Sequence, residues 1–176
     1  MAIPSAALAY RRSALMTATK VTTKPPSQEV LAARDNFVAF STAMGKPPAK
    51  HMLEWHMELC TGEDSECLLG IAGTNTSILA PRGSAKSTVL GMFAAWMIGR
   101  HAAAKKMLRI LYIAYMVDIS RAKSATIKGI LASNKYREIF PMVRLSKIRR
   151  SDEYWSIDYD FAGIDTAGEE AFTIAC

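Results

Sequence analysis

The segment Ser77–Thr88, SILAPRGSAKST, constrains this chain more than any other. Ile78, Leu79 and Ala80 read as the end of a buried strand. A tight turn with Pro81 and Gly83 follows. Lys86, Ser87 and Thr88 then open the run Val89–Ile98, VLGMFAAWMI, which is apolar nearly all round and predicts a buried helix. A strand that turns straight into a helix leaves the first amide hydrogens of that helix facing the turn. Those amides and the positive end of the helix dipole favour an anion at that place.

Strand, small-residue turn, Lys-Ser/Thr and helix are the parts of the phosphate-binding loop of nucleoside triphosphatases. On this reading Pro81, Arg82, Gly83, Ser84, Ala85, Lys86, Ser87 and Thr88 cradle the phosphates of ATP. Lys86 supplies a point charge to the outer phosphates, and the Ser87 hydroxyl ligates Mg2+. The consensus has glycine six residues before the lysine and again immediately before it, where this chain has Ala80 and Ala85. Alanine fits if the backbone there keeps φ negative, since only left-handed conformations demand glycine. The alternative is a plain turn in which Ser84 caps an ordinary helix.

The surroundings extend the pattern. Gly99 is placed to cap the helix, with Arg100 and His101 at the negative end of its dipole. After Lys105 and Lys106, the run Arg109–Tyr115 (RILYIAY) has the length and β-branched, aromatic character of a strand. Strand, helix and strand at this spacing make a right-handed parallel crossover. The expected fold is therefore α/β, a P-loop NTPase fold with a parallel sheet flanked by helices. Further helices are predicted over Ser27–Met44 with Ser27 as cap, His51–Cys60 and Asp118–Ser133, with Ile119, Ala122, Ile127, Ile130 and Leu131 inward. A short turn over Tyr136–Phe140 ends at Pro141, and Trp155–Asp158 and Ala171–Cys176 read as strands.

Charge is unevenly placed. All 22 Lys and Arg fall in residues 1–150, against nine of the 16 acids, while residues 151–176 carry the other seven acids and no base. A basic body favours nucleic acid or another polyanion as partner, and Arg144–Arg150 (RLSKIRR) is its densest run. The alternative for that run is a solvated surface. No apolar stretch approaches the ~18–20 residues needed to span a bilayer, so no membrane is expected. The basic, acid-free N-terminus reads as a flexible arm rather than a secretory signal. Cys60, Cys67 and Cys176 are widely spaced and suggest a reducing compartment, with no disulfide framework and no zinc site.

The order of FVAF on a helix, PPAKHMLEW, ILAPRGSAKST and ILYIAYMVDISRAKSATIKGILASNKYREIFP resembles the N-terminal ATPase part of phage large terminase subunits, the DNA maturase or packaging ATPases. Pro-Arg-Gly ahead of Lys-Ser is a frequent loop variant in that family. The resemblance covers residues 35–176 and leaves 1–34 as the arm. It implies an ATP- and Mg2+-dependent motor that drives double-stranded DNA into procapsids. The partners it implies are the portal of the procapsid, a small terminase subunit and further copies in a homo-oligomeric ring. It also implies action in the host cytoplasm during assembly, outside the mature virion.

The resemblance assigns roles residue by residue. Lys86 corresponds to the phosphate-binding lysine and Ser87 to the metal-ligating hydroxyl, while Arg82 corresponds to the arginine that senses the γ-phosphate and stabilises its transition-state charge. Lys86 and Arg82 are thus the catalytic candidates. His51 and Trp55 sit where family members contact or flank the adenine; a surface histidine and a helix-packing tryptophan are the alternatives. The second family motif, an apolar strand ending in paired acids, has no counterpart: Asp152-Glu153 and Glu169-Glu170 read as turn or edge acids. The coupling motif and nuclease domain are missing as well. The expectation is therefore the front part of such a motor, inactive or weakly active by itself. A helicase-like DNA-dependent ATPase and a degenerate, non-enzymatic nucleotide-binding module are the other readings.

Overall fold

The computed structural model describes residues 25–52, 79–167 and 173–175. The first two elements are α1 (Gln28–Asp35) and α2 (Phe37–Ala43). Ser27 caps α1 through a hydrogen bond from the Val30 amide. The single helix expected over Ser27–Met44 is broken at Asn36, which is extended at φ −127° and ψ 124° and accepts from the Ala39 amide at 3.0 Å. A short amide side chain that bonds its own backbone competes with the helical ladder. The folded body starts ahead of residue 35: Ala33 is fully buried, its carbonyl accepts from the Trp96 indole at 3.1 Å, and Arg34 Nε donates to the Ile139 carbonyl at 2.6 Å. A 3-10 turn, Lys50–Met52, follows; the rest of the helix expected over His51–Cys60, Trp55 included, lies outside the described residues.

Helix α3 (Lys86–Ala103) begins where the sequence placed it and forms the spine of the core. Val89, Met92, Ala95, Trp96 and Ile98 are buried on it. Phe37, Phe40, Phe93, Trp96, Tyr136 and Phe140 make one connected aromatic cluster, with ring centroids 5.3 to 6.4 Å apart. The Tyr136 hydroxyl, fully buried, donates to the Ala95 carbonyl at 2.8 Å. Gly99 does not cap the helix. It lies inside α3, where a Cβ would collide with the Phe140 ring, and α3 runs on to Ala103 before Lys105 turns at φ 55°. Its smallness lets the ring approach the helix backbone.

Helix α4 (Val117–Ala132) buries Ile127 and Leu131 as expected, whereas Ala122 is exposed. Ser124 is buried in its place along the helix and accepts a hydrogen bond from the Trp155 indole at 2.7 Å. That bond ties α4 to the sheet. Ser133 then caps α5 (Asn134–Ile139).

The sheet consists of β1 (Ile110–Leu111), β2 (Leu145–Arg150), β3 (Tyr154–Ile157) and β4 (Ile174–Ala175), in the order β1-β4-β3-β2. A four-residue helix, α6 (Tyr159–Ala162), follows β3. The molecule is thus mixed α/β, with a four-stranded sheet flanked by helices. The expected parallel sheet is found in part among the described residues: β1 and β4 are parallel, with Ile110 opposite Ile174, but β4–β3 and β3–β2 are antiparallel. For β2 and β3 the reason is local. Ser151 Oγ donates to the Tyr154 carbonyl at 2.7 Å and accepts from its amide at 2.9 Å, closing a turn that sends the chain back alongside the basic run. Among the described residues the predicted strand Arg109–Tyr115 pairs through Ile110–Tyr112, and Ile113 and Tyr115 are 81% and 86% exposed. Leu79 and Ala80 belong to no strand, and Leu79 is 92% exposed. Ile78 lies outside the described residues.

Candidate phosphate-binding loop

The turn before α3 is built by its own hydrogen bonds. The Pro81 carbonyl accepts from the Ser84 amide at 3.4 Å and from the Ser84 hydroxyl at 2.7 Å. Gly83 sits at φ 82°, a left-handed conformation with no other atom within 4 Å of a would-be Cβ. Glycine is therefore favoured there by backbone conformation rather than by crowding.

Ala85 departs from expectation. It is the N-cap residue of α3 and stands at φ 59° and ψ 18°, so the negative φ assumed for it is wrong. The left-handed backbone costs an alanine roughly 1–2 kcal/mol relative to a glycine's free choice. It also gives a physical reason why the loop consensus has glycine immediately before the lysine. Ser84 spends its hydroxyl on the Pro81 carbonyl, and no side chain caps α3. Ser84 is therefore not the cap of α3.

Lys86 is half-buried. Its ammonium folds back over the turn and donates to the carbonyls of Ala80 and, at 3.3 Å, Pro81. The first turn of α3 contains no acid. An uncapped helix start with a lysine beside it and no carboxylate is electrostatically complementary to an anion. Arg82, Ser87 and Thr88 are exposed on the same short stretch, with the Thr88 amide donating to the Ala85 carbonyl at 2.9 Å. His51 is exposed in its 3-10 turn, and the chain from residue 53 to residue 78, between it and the loop, lies outside the described residues.

Asp152 and Glu153 lie in the β2–β3 turn. Asp152 accepts from Lys128 Nζ at 2.6 Å, which holds its carboxyl below the usual range, and Glu153 pairs with Arg121. Both acids are engaged with α4. Among the described residues no three His, Cys, Asp or Glu side chains group as a metal set. Cys60, Cys67, Glu169, Glu170 and Cys176 lie outside those residues.

Two features were not read from the sequence. His101 is buried near the end of α3 with neither ring nitrogen hydrogen-bonded to a partner among the described residues. Burial first, then Lys106 and Arg100, push its pKa below 6.5, with the Met107 backbone opposing. It is therefore a neutral core residue, although its position near the helix end suggested a charged one. The second feature is a basic cleft between α4, α5 and β2: the run Arg144–Arg150 read from the sequence supplies four of its cations, but its meeting with Lys128 and Arg137 was not foreseen. Among the described residues no helix is long and apolar enough to cross a membrane. Comparison with protein-family models, curated proteins and solved structures returns no match for this chain.

Proposed function

We propose that this chain carries the nucleotide-binding loop of an ATP-driven DNA-packaging motor of the large-terminase type. The observation that carries this reading is the position of Lys86, whose ammonium bridges the two ends of an uncapped turn at the start of α3. The order of sequence motifs around it supports the same reading.

On binding ATP, Lys86 exchanges the Ala80 and Pro81 carbonyls for phosphate oxygens. The amides at the start of α3 orient the phosphate chain. Ser87 would offer one hydroxyl to Mg2+ if the ion binds with the nucleotide. The described residues present that hydroxyl at the loop and fit this limited role. When bound, Mg2+ neutralises charge between the outer phosphates. Arg82 lies one residue from the turn's glycine, where its planar fork can engage the terminal phosphate.

A second reading, a nucleotide-binding module without turnover, is favoured by one observation: Ala85 occupies a left-handed position. Titration of residues 1–176 with a fluorescent ATP analogue tests the shared core of both readings. Binding is expected, and Lys86→Ala should weaken it roughly tenfold to a hundredfold, since losing one charged hydrogen-bond partner costs on the order of 1.5–3 kcal/mol. Equal binding by the two chains would overturn the assignment. Turnover by the assembled motor then separates enzyme from passive module.

A further inference from the structure

A cleft of about 870 Å³ opens between α4, α5 and the outer strand β2. Its apolar floor comes from Leu131, Val143 and Trp155. Six cations line it: Lys128 from α4, Arg137 from α5, Arg144 ahead of β2, and Lys147, Arg149 and Arg150 from β2. Asp158 is the one acid among the described residues of the lining, and its carboxylate is turned to the start of α6, accepting from the Phe161 amide at 3.1 Å. The walls therefore carry a strong positive excess.

The cations are also positioned. The Arg144 guanidinium lies 3.7 Å from the centroid of the Phe161 ring, and Arg150 Nε donates to the Ser146 carbonyl at 2.7 Å. Arg149 stacks 5.8 Å from the Tyr154 ring. Each arrangement fixes the stem of an arginine, whose guanidinium carries five N–H donors in all. Lys128 is held by Asp152 at the rim. Arg137 and Lys147 are exposed and form no ion pair among the described residues.

We infer that this cleft binds the phosphate backbone of double-stranded DNA. The inference rests on the DNA-handling part of the function proposed above and adds the surface on which the DNA lies. Charge complementarity selects a polyanion. The aromatic side chains decide its form. A single strand is held by stacking its bases on exposed aromatic faces. Here Trp155 is fully buried with its indole donating to Ser124, and Tyr154 and Phe161 already carry the guanidinium groups of Arg149 and Arg144. Among the described residues of the cleft no stacking platform is on offer, and what faces outward is charge spread along a strand. That arrangement positions a duplex by its phosphates and reads no sequence.

Fluorescence anisotropy of a labelled 30-base-pair duplex, titrated without nucleotide at several salt concentrations, tests the inference on the full chain. Arg137→Gln/Lys147→Gln should weaken binding at least tenfold. It should also lower the slope of log K against log salt by about two, one for each phosphate that is no longer neutralised. Arg137→Lys/Lys147→Arg, which keeps both charges, should retain the parental slope, and Lys46→Gln/Lys50→Gln, outside the cleft, should leave it unchanged. Thermal melts identical to the parent's establish that the exposed substitutions leave the fold intact. Parental affinity and slope in Arg137→Gln/Lys147→Gln would overturn the inference, as would tighter binding of a single strand of the same length. The two proposals fail separately. A chain that binds no ATP analogue yet shows the altered salt slope keeps the cleft and loses the motor; analogue binding with an unaltered slope does the reverse.

Discussion

The ammonium of Lys86 hydrogen-bonds the carbonyl of Ala80, six residues earlier, and so joins the two ends of the loop across its mouth. The bond holds the loop in shape and keeps a cation at the helix start. It is also a bond that a phosphate can replace. On the proposed reading, loop conformation and anion affinity are coupled through this one side chain, and the neighbouring backbone tests it.

Ala85→Gly should stabilise the protein. Glycine removes the left-handed cost of roughly 1–2 kcal/mol at φ 59°. It returns part of that gain through the larger entropy of its unfolded chain, about 0.5–1 kcal/mol. A net gain of up to about 1 kcal/mol in urea unfolding is expected, with affinity for the ATP analogue equal or higher. A loss of stability would mean that the left-handed Ala85 is not strained.

Gly99→Ala should do the opposite, although alanine is the better helix former by about 1 kcal/mol. Its methyl group would stand far inside van der Waals contact with Phe140 Cδ2, which forces the ring or the helix to move. Overpacking of this kind costs typically about 1–3 kcal/mol. The double variant Gly99→Ala/Phe140→Leu should recover part of the loss. Chemical denaturation of the three chains checks the coupling.

His101 makes stability fall with acid. Its folded pKa lies below 6.5, so between that value and 6.5 the unfolded chain binds the proton that the folded chain refuses. Above the window both forms are neutral and the residue adds no pH dependence. As pH drops from about 6.5 the unfolded state is favoured progressively, until the folded imidazole also protonates. Urea midpoints measured from about pH 7.5 to about pH 5.5 should decline more steeply for the parent than for His101→Leu. Equal slopes would place the histidine outside the core.

Arg82 separates binding from chemistry. If its guanidinium stabilises charge that develops only during phosphoryl transfer, Arg82→Ala should leave analogue affinity nearly unchanged in this chain. In the assembled motor the same change should lower turnover by about 10³–10⁵. Arg82→Lys should rescue little, because an ammonium lacks the planar fork. Parental ATPase and packaging rates in Arg82→Ala would reduce the arginine to a turn residue.

Local chemistry in the sequence was sufficient for the helices and the turn. The start of α3 at Lys86, the span of α4, the Ser27 cap and the turn around Pro81 and Gly83 all follow from periodicity, capping and dihedral preference within a few residues. The same reasoning joined α1 and α2 because it gave no weight to Asn36, whose side chain outcompetes the ladder at that position. It made Gly99 the helix cap and, though it placed His101 rightly in the last turn, did not see its burial, since packing against Phe140 and the core is invisible in a linear pattern.

The directions of β1, β3 and β4 relative to one another, and the meeting of Lys128 and Arg137 with the basic run of β2, were decided only by the tertiary structure. Nothing near Ile110 specifies that Ile174 will lie beside it in parallel while Trp155 approaches Ile174 from the other side in antiparallel. Such pairings are made between residues distant in sequence, and their energy appears only once the chain has returned. The basic cleft has the same origin: Lys128, Arg137 and Arg150 belong to three separate elements, and only the packing of α4 and α5 against β2 brings their charges to one surface. Ala85 is the shortest-range instance. Its residue type favours negative φ, yet within the turn it stands in the left-handed conformation.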